Sequence, residues 1–431
     1  MRIVIFSQYW IPENGVPQRR WKWLAEVLKE HGHDLLVVAP PPHYARKVSL
    51  SCWIRQRGYR SSRSLEQGEC GENILRTGYF PAGRSLTQRV LNQSAVALAG
   101  LFVLLTRRDV LKNFSPDLII GTVPSLPTAF VAAVAGKASK LPYILDLRDA
   151  WPELLHDWEK WNDDLGVPSF RQKLLAFGPA QLVTPVVEFV LNRCFEGAHG
   201  ILTTSSRLGA SLVDKGYVED DTQTKTVRNV FPMESEWKPS SRKKRRGELN
   251  ILYAGTIGRA QQLSNALSAI EILKRRGLSV SMRIIGEGAA KKNLTKIVEA
   301  RNLPVDFLPR VTADALSEHY AWADTALVHL ADWGPLRMAI PSKTYELMEQ
   351  KIHISGVIDG EAAELIEQTQ AGFVVQPNSP EELANAWNVL AAGTEVPRGS
   401  NRASEWVKNE RENRSPGAFF ELLERVIDRE R

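Results

Sequence analysis

Short apolar strands alternate with amphipathic helices along almost the whole chain, and this alternation limits the possible folds more than any other feature. The first round begins with a strand predicted at Arg2–Ser7 and a helix predicted at Arg19–His31. A second round begins with a strand predicted at Asn250–Ala254. Repeated strand–helix pairs form parallel sheets that helices cover on both faces. We therefore predict an α/β fold with two Rossmann-like, doubly wound domains.

A basic segment separates the two rounds. Residues 232–248, PMESEWKPSSRKKRRGE, are polar, contain proline and serine, and include the basic run Arg242–Arg246. The length of 431 residues fits two to three domains. We predict a first domain at 1–231, a linker at 232–248, a second domain at 249–405, and a C-terminal helix within 406–431 that packs back toward the first domain.

Cysteine usage and hydropathy point to an intracellular protein. Cys52, Cys70 and Cys194 do not make a disulfide framework, and the absence of Cys-x₂-Cys spacing disfavours a structural zinc site. No apolar leader follows Met1, and the apolar run Ala95–Leu105 is shorter than the roughly 20 residues that span a bilayer. We expect a cytoplasmic location, with any membrane contact peripheral and at the inner face of the plasma membrane.

Positive charge is concentrated within residues 46–112, although the net charge of the whole chain is +6. Aromatic and apolar residues lie between these arginines and lysines, which is typical of surfaces that contact anionic membranes. A solvated basic face over a core helix is the alternative, and the sequence leaves both open. Nucleic acid would also suit the charge, but we find no nucleic-acid motif and expect no such partner.

The stretch Pro335–Gln350, PLRMAIPSKTYELMEQ, is the strongest candidate for a ligand site. It follows a predicted buried strand and opens a helix for which Ser342 is the predicted N-cap. Free N–H groups and the helix dipole favour anions at such a helix start. Lys343 adds a positive charge suited to phosphate, and Glu346 lies on the same face, suited to ribose hydroxyls. The alternative is an ordinary surface ion pair.

Three loops are predicted to lie at the carboxyl ends of strands, where open α/β sheets bind their ligands. They are Pro12–Pro17, Gly255–Arg259 and Pro335–Lys343. None is a complete Gly-x-Gly-x-x-Gly fingerprint and no Walker sequence occurs, so their joint placement carries the prediction. The candidate phosphate contacts are the backbone at Gly15, Gly255 and Gly258 and the forked cation of Arg259.

Six segments, spread over roughly residues 1–391, resemble one enzyme family. They are SQYWIPENGVPQRR, SPDLIIGTVPSLP, LPYILDLRDAWPE, LYAGTIGRAQQL, IIGEGAAKKNL and IPSKTYELMEQKIHISGVIDGEAAELIEQTQAGFVVQP. In these segments the chain resembles the retaining GT-B glycosyltransferases of family 4. Within that family it is most similar to the WbuB-like amino-sugar transferases of bacterial surface polysaccharide synthesis. The combination is specific for fold and reaction class and much less specific for the sugar.

The resemblance implies a hexosyltransferase-type enzyme whose second domain holds a UDP-activated, N-acetylated sugar. A lipid-linked or small polar acceptor would bind the first domain. Glu346 would bind the ribose, while Lys343 and Arg259 would neutralise the diphosphate. The other implied donor contacts are the Gly15 loop, Arg310 and Val311 beside the base, and the segment from Met338 to Ser342 beside the sugar.

A cluster of charged residues follows the strand predicted at Tyr143–Leu147. A carboxylate at this strand end could orient the acceptor hydroxyl or take its proton, and we assign that role to Asp149. Asn14, Asp146 and Arg148 are expected on the acceptor side. The alternative for the strand end is a structural Asp–Arg pair.

Three departures from the family pattern affect the predicted site. Met338 stands where a second glutamate is expected eight residues before Glu346. Thr256 and the pair Gln261-Gln262 replace an arginine and a Lys–Gly pair, and Val16 replaces a second glycine after Gly15. Two other functions stay open. A nucleotide-sugar 2-epimerase shares the two-domain architecture, and a non-catalytic nucleotide-sugar-binding subunit would fit Met338 and the altered phosphate loop.

Metal dependence is not expected. No Asp-x-Asp sequence follows a predicted strand, and no His/Asp cluster has ligand spacing. The sequence therefore predicts a metal-independent enzyme without a cofactor, for which the nucleotide sugar is a substrate.

Overall fold

Two units, each with its own parallel sheet, make up the computed structural model of the chain. The structure describes residues 1–43, 48–83, 86–155, 179–233 and 243–429. The first unit consists of Met1–Trp151, Pro185–Phe231 and Asn413–Arg431, and the second unit consists of Pro152–Thr184 and Pro232–Glu412. The basic residues Arg46, Lys47 and Arg84 of the predicted membrane surface lie outside the described residues.

The first unit is built on an eight-stranded sheet with the order β3-β4-β2-β1-β5-β6-β7-β8. Only the β3–β4 pair is antiparallel among the described strands. Its elements are β1 (Arg2–Phe6), α1 (Val16–Glu30), β2 (Asp34–Ala39), α2 (Leu50–Arg55), β3 (Glu66–Gln67), β4 (Asn73–Arg76), α3 (Leu86–Thr106), α4 (Arg108–Phe114), β5 (Leu118–Val123), α5 (Leu126–Ser139), β6 (Tyr143–Leu147), α6 (Pro179–Glu196), β7 (Gly200–Thr203), α7 (Ser206–Asp214) and β8 (Thr224–Thr226).

The second unit is built on a six-stranded sheet with the order β11-β10-β9-β12-β13-β14, and all of its described pairs are parallel. Its elements are β9 (Glu248–Ala254), α8 (Ser264–Arg275), β10 (Ser279–Ile285), α9 (Lys291–Arg301), β11 (Val305–Leu308), α10 (Ala313–Trp322), β12 (Thr325–His329), α11 (Ser342–Glu349), β13 (Ile354–Val357), α12 (Glu361–Gln368), β14 (Gly372–Val375), α13 (Pro380–Ala392) and α14 (Asn401–Asn409).

The chain returns to the first unit at its C-terminal end. A π-helical turn, Glu410–Arg414, follows α14 and leads into the last helix, α15 (Ser415–Asp428). Phe419 of α15 meets the Trp21 ring edge-on, with 6.5 Å between ring centroids. Leu422 packs so closely on β7 that a side chain at Gly200 would have a Cβ atom 2.8 Å from a Leu422 methyl carbon. Close apolar packing of this kind ties α15 to the first unit.

The prediction of two Rossmann-like sheets is confirmed. Buried apolar strands such as β5 and β12, whose residues are all buried, explain why the sequence shows continuous apolar runs rather than alternation. The sequence analysis missed α14, a helix of nine residues whose sequence NRASEWVKN contains only three apolar residues.

Each sheet has a point at which the strand order reverses. In the first unit the reversal lies between β1 and β5, and in the second it lies between β9 and β12. Loops that leave two such neighbouring strands diverge to opposite faces of the sheet, so a crevice opens between them. This crevice is where open α/β sheets bind ligands, and it places the candidate sites described next.

Candidate functional site

The loop that follows β9 lies against the loop that follows β10 through backbone contacts. The Gly255 N–H donates to the Ile285 carbonyl at 3.0 Å, and the Ile257 N–H donates to the Glu287 carbonyl at 3.0 Å. A Cβ atom at Gly286 would collide with the Gly255 carbonyl, and one at Gly288 with the Ile257 carbonyl. These two glycines therefore serve close packing of the two loops.

Two of the residues that depart from the family pattern shape the loop after β9. The Gly258 N–H donates to the side-chain oxygen of Gln261 at 3.1 Å. The Tyr253 hydroxyl donates to the Thr256 carbonyl at 2.6 Å. The side chains of Gln261 and Tyr253 thus hold the turn in the described conformation. Gly255 is exposed and Gly258 and Arg259 are half-buried, so all three predicted donor residues of this loop have surface available to a ligand.

The loops on either side of the β9–β12 reversal are joined directly. The Ala331 N–H, just after β12, donates to the Ala260 carbonyl at 2.8 Å. This bond brings the loop that carries Arg259 beside the loop that leads to α11. Two of the three loops predicted to form the site therefore meet at one strand reversal.

The helix start at α11 differs from the prediction in one detail. The helix begins at Ser342, the N-cap position is Pro341, and no side chain caps the helix. The predicted N-cap role of Ser342 is therefore wrong. The Thr344 N–H instead bonds the Pro341 carbonyl at 2.9 Å, which closes the first turn one residue earlier than predicted. Ser342 still occupies the first turn, where a donor phosphate is expected.

Lys343 and Glu346 form the ion pair that the sequence analysis gave as the alternative to a ligand site. The Lys343 Nζ lies 2.8 Å from Glu346 Oε2, and the side chains are 29% and 20% exposed. The other carboxylate oxygen accepts from the hydroxyl of the buried Tyr320 at 3.2 Å. The Tyr320 ring also lies 5.8 Å from the Lys343 ammonium. Tyr320 of α10, which the sequence analysis missed, thus orients both charges.

This pair retains the capacity to bind a ligand. Each carboxylate oxygen can accept about two hydrogen bonds and an ammonium group can donate three, so one shared bond leaves other positions. The pair also lies on the first turn of a helix that follows β12, one of the two strands at the reversal. A half-buried lysine at a helix N-terminus adds to the anion preference of the helix itself.

Met338 ends a 3₁₀ helix, Gly334–Met338, that packs on the start of α12. Gly360, with φ of +79°, lies so close that a Cβ atom there would collide with the Arg337 carbonyl. The exposed Arg337 side chain pairs with Asp332 at 3.3 Å and Asp359 at 2.9 Å. Met338 replaces the expected glutamate, but its neighbour Arg337 pairs with two carboxylates, Asp332 and Asp359, that the sequence analysis did not find.

Arg310 and Val311 lie in the loop after β11. Arg310 is exposed and Val311 is half-buried. Lys291 connects the end of β11 to the loop after β10, because its Nζ donates to the Leu308 carbonyl at 3.5 Å and to the Gly286 carbonyl at 3.1 Å. The contact of Arg310 and Val311 with the nucleotide base stays a prediction.

His329 is a buried polar group at the carboxyl end of β12. Its Nε2 lies 3.1 Å from the Asn265 side-chain nitrogen, so the ring accepts this bond and is neutral. Burial lowers the pKa of His329 to about 3. The sequence analysis did not single out His329, since a histidine that ends an apolar strand carries no motif.

The His329 pKa predicts a specific loss of stability in acid. The unfolded chain binds a proton near pH 6.5 and the folded chain does not, so the free energy of unfolding should fall below that pH by about 1.4 kcal/mol per pH unit. This stability is present above pH 6.5 and is lost as the pH approaches 3. We expect the His329→Gln variant to show a smaller dependence of its urea midpoint on pH between 6.5 and 4.5.

The exposed His31 provides the control for this measurement. His31→Gln should leave the slope of midpoint against pH as it is in the unaltered chain. An equal slope in the His329→Gln variant would contradict the assignment of His329 as a buried, neutral group.

In the first unit, Asp146 is not available to an acceptor. Its side chain is 0% exposed and pairs with Arg20, whose Nη2 lies 2.8 Å from Asp146 Oδ1. The Trp21 indole donates to Oδ2 at 2.8 Å, and Arg20 also donates to the Val227 carbonyl at 2.7 Å. We therefore correct the predicted acceptor role of Asp146. It belongs to a buried ion pair that joins α1 to β6, which is the structural alternative.

Asp149 and Arg148 differ from Asp146. The Asp149 side chain is exposed, yet desolvation by the protein around it raises the pKa of its carboxyl, which the neighbouring Arg148 lowers only in part. Desolvation lowers the pKa of Arg148, and its buried Nε and Nη1 have no hydrogen-bond partner. A raised carboxyl pKa suits a group that exchanges protons.

The Gly15 loop precedes α1. Gly15 is the N-cap, with extended backbone angles and no side-chain cap, and its carbonyl accepts from the Arg19 N–H at 2.9 Å. A Cβ atom at Gly15 would lie 2.6 Å from the Gln18 side-chain oxygen. Asn14 is exposed beside it. The glycine thus lets the loop pass close to Gln18 while its backbone stays accessible.

No group of three or more His, Cys, Asp or Glu side chains close enough to hold a metal ion occurs among the residues that the structure describes. Metal independence stays a prediction.

The fold and the position of the candidate site define the class of protein to which this chain belongs. Two Rossmann-like units with ligand loops at strand reversals constitute the GT-B fold of glycosyltransferases. Residues 15–229 match the family model described as "Glycosyl transferase 4-like domain", and residues 235–412 match "Glycosyl transferases group 1". The chain is a glycosyltransferase, and it belongs to the GT-B enzymes that combine these two domains. Both matches favour the transferase over the two alternatives that the sequence left open.

Related proteins agree with this class. The chain is 24% identical over 396 residues to WcaI of Escherichia coli (strain K12), whose provisional name is colanic acid biosynthesis glycosyl transferase, and the match covers 89% of this chain and 90% of WcaI. It is 29% identical over 161 residues to WbjE of Pseudomonas aeruginosa, named as a glycosyltransferase, covering 36% of this chain and 40% of WbjE.

Solved structures share the fold at low identity. Sucrose-phosphate synthase from Thermosynechococcus elongatus superposes over 100% of both chains with a TM-score of 0.66 and 12% identity. HepE from Anabaena, solved in complex with UDP and glucose, also superposes over 100% of both chains, with a TM-score of 0.57 and 15% identity. These likenesses show the fold alone.

Proposed function

We propose that the enzyme transfers a sugar from a UDP-sugar to a lipid-linked acceptor in the synthesis of a bacterial surface polysaccharide. The observation that carries the proposal is the Lys343–Glu346 pair on the first turn of α11, beside the strand reversal of the second unit. A cation and a carboxylate 2.8 Å apart match a diphosphate next to a ribose.

The donor and pathway rest on several supports. HepE was solved with UDP, and the provisional name of WcaI places that relative in colanic acid biosynthesis. The resemblance to amino-sugar transferases favours an N-acetylated sugar. Together these supports select UDP-N-acetylhexosamines as the first donors to test.

The proposed mechanism uses side chains in place of a metal ion. Lys343 and Arg259 neutralise the charge that develops on the departing UDP, and Glu346 holds the ribose hydroxyls. Fixed cations in a site that excludes water stabilise such charge strongly. On the first unit, Asp149 orients the acceptor hydroxyl or receives its proton, for which the raised carboxyl pKa is suited. The reaction retains the anomeric configuration of the donor sugar.

The lipid-linked acceptor is supported by an exposed apolar face on α3, which we call the α3 face. The sequence prediction that this apolar region is too short to cross a bilayer is corrected: α3 has 21 residues, and Gln88–Thr106 is long and apolar enough by composition. Only 22% of that window is buried. The exposed residues of the α3 face are Leu91, Leu98, Phe102 and Leu105.

The opposite side of α3 packs within the first unit. Asn92, Val96 and Val103 are buried, and the Asn92 side chain accepts from the Gln8 amide at 2.8 Å. A helix held on one side by its own domain lies along a membrane surface instead of crossing it. Exposed cations at both ends of α3, Arg89 and Arg108, complement anionic lipid headgroups.

A charge placed on the α3 face should weaken membrane binding. We expect the double variant Leu98→Glu/Phe102→Glu to bind phosphatidylglycerol vesicles at least about 100-fold more weakly, because burying each of the two side chains contributes about 1.5–3 kcal/mol. Vesicle co-sedimentation measures the change. Val389→Glu, which alters an apolar residue that is 72% exposed on α13, is the control and should bind normally. Equal binding by both variants would exclude the α3 face as the membrane contact.

The function itself is tested by UDP release. The purified enzyme is incubated with UDP-N-acetylglucosamine or UDP-N-acetylgalactosamine, with and without a polyprenyl-diphosphate sugar in vesicles. We expect UDP release only with the acceptor, and a product that keeps the anomeric configuration of the donor. Release without acceptor, together with an epimerised sugar, would support the 2-epimerase instead.

A chelator distinguishes the metal-free mechanism in the same assay. Activity in excess EDTA should equal activity without it, because Lys343 and Arg259 carry the positive charge. Activity that is lost in EDTA and restored by Mn²⁺ would contradict this part of the mechanism.

A further inference from the structure

A cavity of about 710 Å³ lies in the first unit, beyond the carboxyl ends of β2 and β4. The proposed mechanism does not use it. Its walls come from the residues after β2, from α2 and the loop that follows it, and from the end of β4. The lining residues on which the argument depends are Arg57, Arg60, Arg76, Thr77 and Tyr79.

The cavity is lined by three arginines and by no acidic residue among the described part of the chain. Arg57 and Arg60 are exposed, so their guanidinium groups can move toward a ligand. Arg76 is 9% exposed and is held in place by Glu66 at 2.9 Å and by the Pro40 and Ile11 carbonyls. These bonds occupy three of its five N–H groups, which leaves two for a ligand. The net positive charge of the walls favours an anion.

A second observation comes from the floor of the cavity. Thr77 is 2% exposed, lines the cavity, and has a buried hydroxyl with no hydrogen-bond partner. Its backbone is fixed, because its N–H donates to the Ala39 carbonyl at 3.0 Å. A buried hydroxyl without a partner costs free energy, which a ligand oxygen would recover.

The cavity walls are preorganised by close contacts. The Trp53 indole donates to the Tyr79 carbonyl at 2.7 Å, and the Tyr79 N–H donates to the Gly58 carbonyl at 2.8 Å. A Cβ atom at Gly78 would lie 2.5 Å from the Tyr59 carbonyl, so the loop after α2 lies directly on the end of β4. A ligand would therefore meet cavity walls whose backbone the fold already holds in place.

We propose that this cavity binds the phosphate or diphosphate group of the acceptor. The proposal rests on the proposed function and adds the site at which the phosphate of the acceptor binds. Arginine is suited to phosphate because its fork donates two parallel hydrogen bonds. On the outer side of α2, Leu50 and Ile54 are 54% and 56% exposed. An apolar surface beside a phosphate site matches a diphosphate attached to a lipid.

Two matched double variants test the proposal. Arg57→Gln/Arg60→Gln removes two charges from the cavity wall, and Arg55→Gln/Arg63→Gln removes two exposed charges from the same segment that do not line it. All four residues are at the surface, so both proteins should fold. We expect the first variant alone to raise the KM for a polyprenyl-diphosphate sugar by about 10- to 100-fold, since it removes charged hydrogen-bond donors to the phosphate.

A binding measurement separates this proposal from the donor assignment. Inorganic pyrophosphate is titrated into each protein with UDP present at saturation, so that the donor site is filled. The unaltered chain and the Arg55/Arg63 variant should bind pyrophosphate, and the Arg57/Arg60 variant should bind it at least tenfold more weakly. UDP affinity should be equal in all three. If UDP does not bind, the donor assignment fails, and the titration without UDP still compares the two variants.

The acceptor source is resolved by supplying the same sugar diphosphate in two forms. Transfer to the vesicle-embedded form alone would assign the phosphate to a lipid carrier, and transfer to a soluble form would assign it to a free sugar diphosphate. Either result supports phosphate binding in the cavity if the Arg57/Arg60 variant no longer transfers sugar to that acceptor. Equal KM values for both variant pairs, or no pyrophosphate binding by the unaltered chain, would overturn the proposal.

Discussion

Replacing Lys343 by alanine is expected to lower kcat by about 100- to 1,000-fold, because a preorganised donor to developing charge contributes about 2.7–4 kcal/mol to transition-state stability. Lys343 lies on the first turn of α11 and is oriented by Glu346 and Tyr320. Its charge would meet the diphosphate as the bond to the sugar breaks. Steady-state rates of UDP release with saturating donor and acceptor measure the loss.

The conservative and control variants make this result specific. Lys343→Arg keeps the charge and should recover part of the rate. Arg301→Ala breaks another ion pair of the second unit, Arg301–Glu271, in which the side chains are 46% and 34% exposed, and should leave kcat unchanged. A Lys343→Ala enzyme with the rate of the Arg301→Ala enzyme would remove Lys343 from the mechanism.

Replacing Asp146 by alanine is expected to destabilise the first unit by about 3–5 kcal/mol, because it leaves the buried guanidinium of Arg20 without its counter-charge. The Trp21 indole loses its acceptor in the same change. The shift of the urea unfolding midpoint measures the effect. Few single substitutions elsewhere on the unit should approach this size.

An exposed ion pair of the same unit is the control. Arg193 and Glu196 lie 2.9 Å apart with side chains 66% and 46% exposed, so Glu196→Ala should change stability by about 1 kcal/mol or less. A double change, Arg20→Met with Asp146→Leu, should recover much of the lost stability because it removes both charges. Equal midpoints for Asp146→Ala and Glu196→Ala would contradict the structural role of Asp146.

The overall fold could be predicted because its signal is repeated. Apolar strands of the right length, separated by amphipathic helices, recur in both halves, and each repetition supports the same interpretation. The order of the strands in the sheets carries no such local signal. It became visible only in the structure, and it is the strand order that brings the loops after β9 and β12 to one place.

Residue roles at strand ends were harder to predict. Asp146 and Asp149 are three residues apart in a segment whose charged residues suggested a functional site. Asp146 is fully buried against Arg20, whereas Asp149 is exposed. The difference depends on an arginine 126 residues away in the chain. No local sequence pattern reveals a pairing across such a distance, so the acceptor role was predicted for Asp146 although its role is structural.

The basic region 46–112 contributes to two different surfaces, which the sequence analysis treated as one. Arg57, Arg60 and Arg76 line the cavity, while Arg89 and Arg108 flank the α3 face. Composition showed that this region is rich in both basic and apolar residues. Only the pairing of β4 with β2 and the packing of α2 over the β4 end assign each arginine to one surface or the other.

The most direct test of the central claim is calorimetric titration of UDP into the Glu346→Ala variant, with Glu271→Ala as the control from the same domain. If the α11 start is the nucleotide site, UDP affinity should fall by about 10- to 150-fold in Glu346→Ala, equivalent to about 1.5–3 kcal/mol, and stay unchanged in Glu271→Ala. Equal UDP affinity in the two variants would contradict the assignment and would leave Lys343 and Glu346 as a surface ion pair.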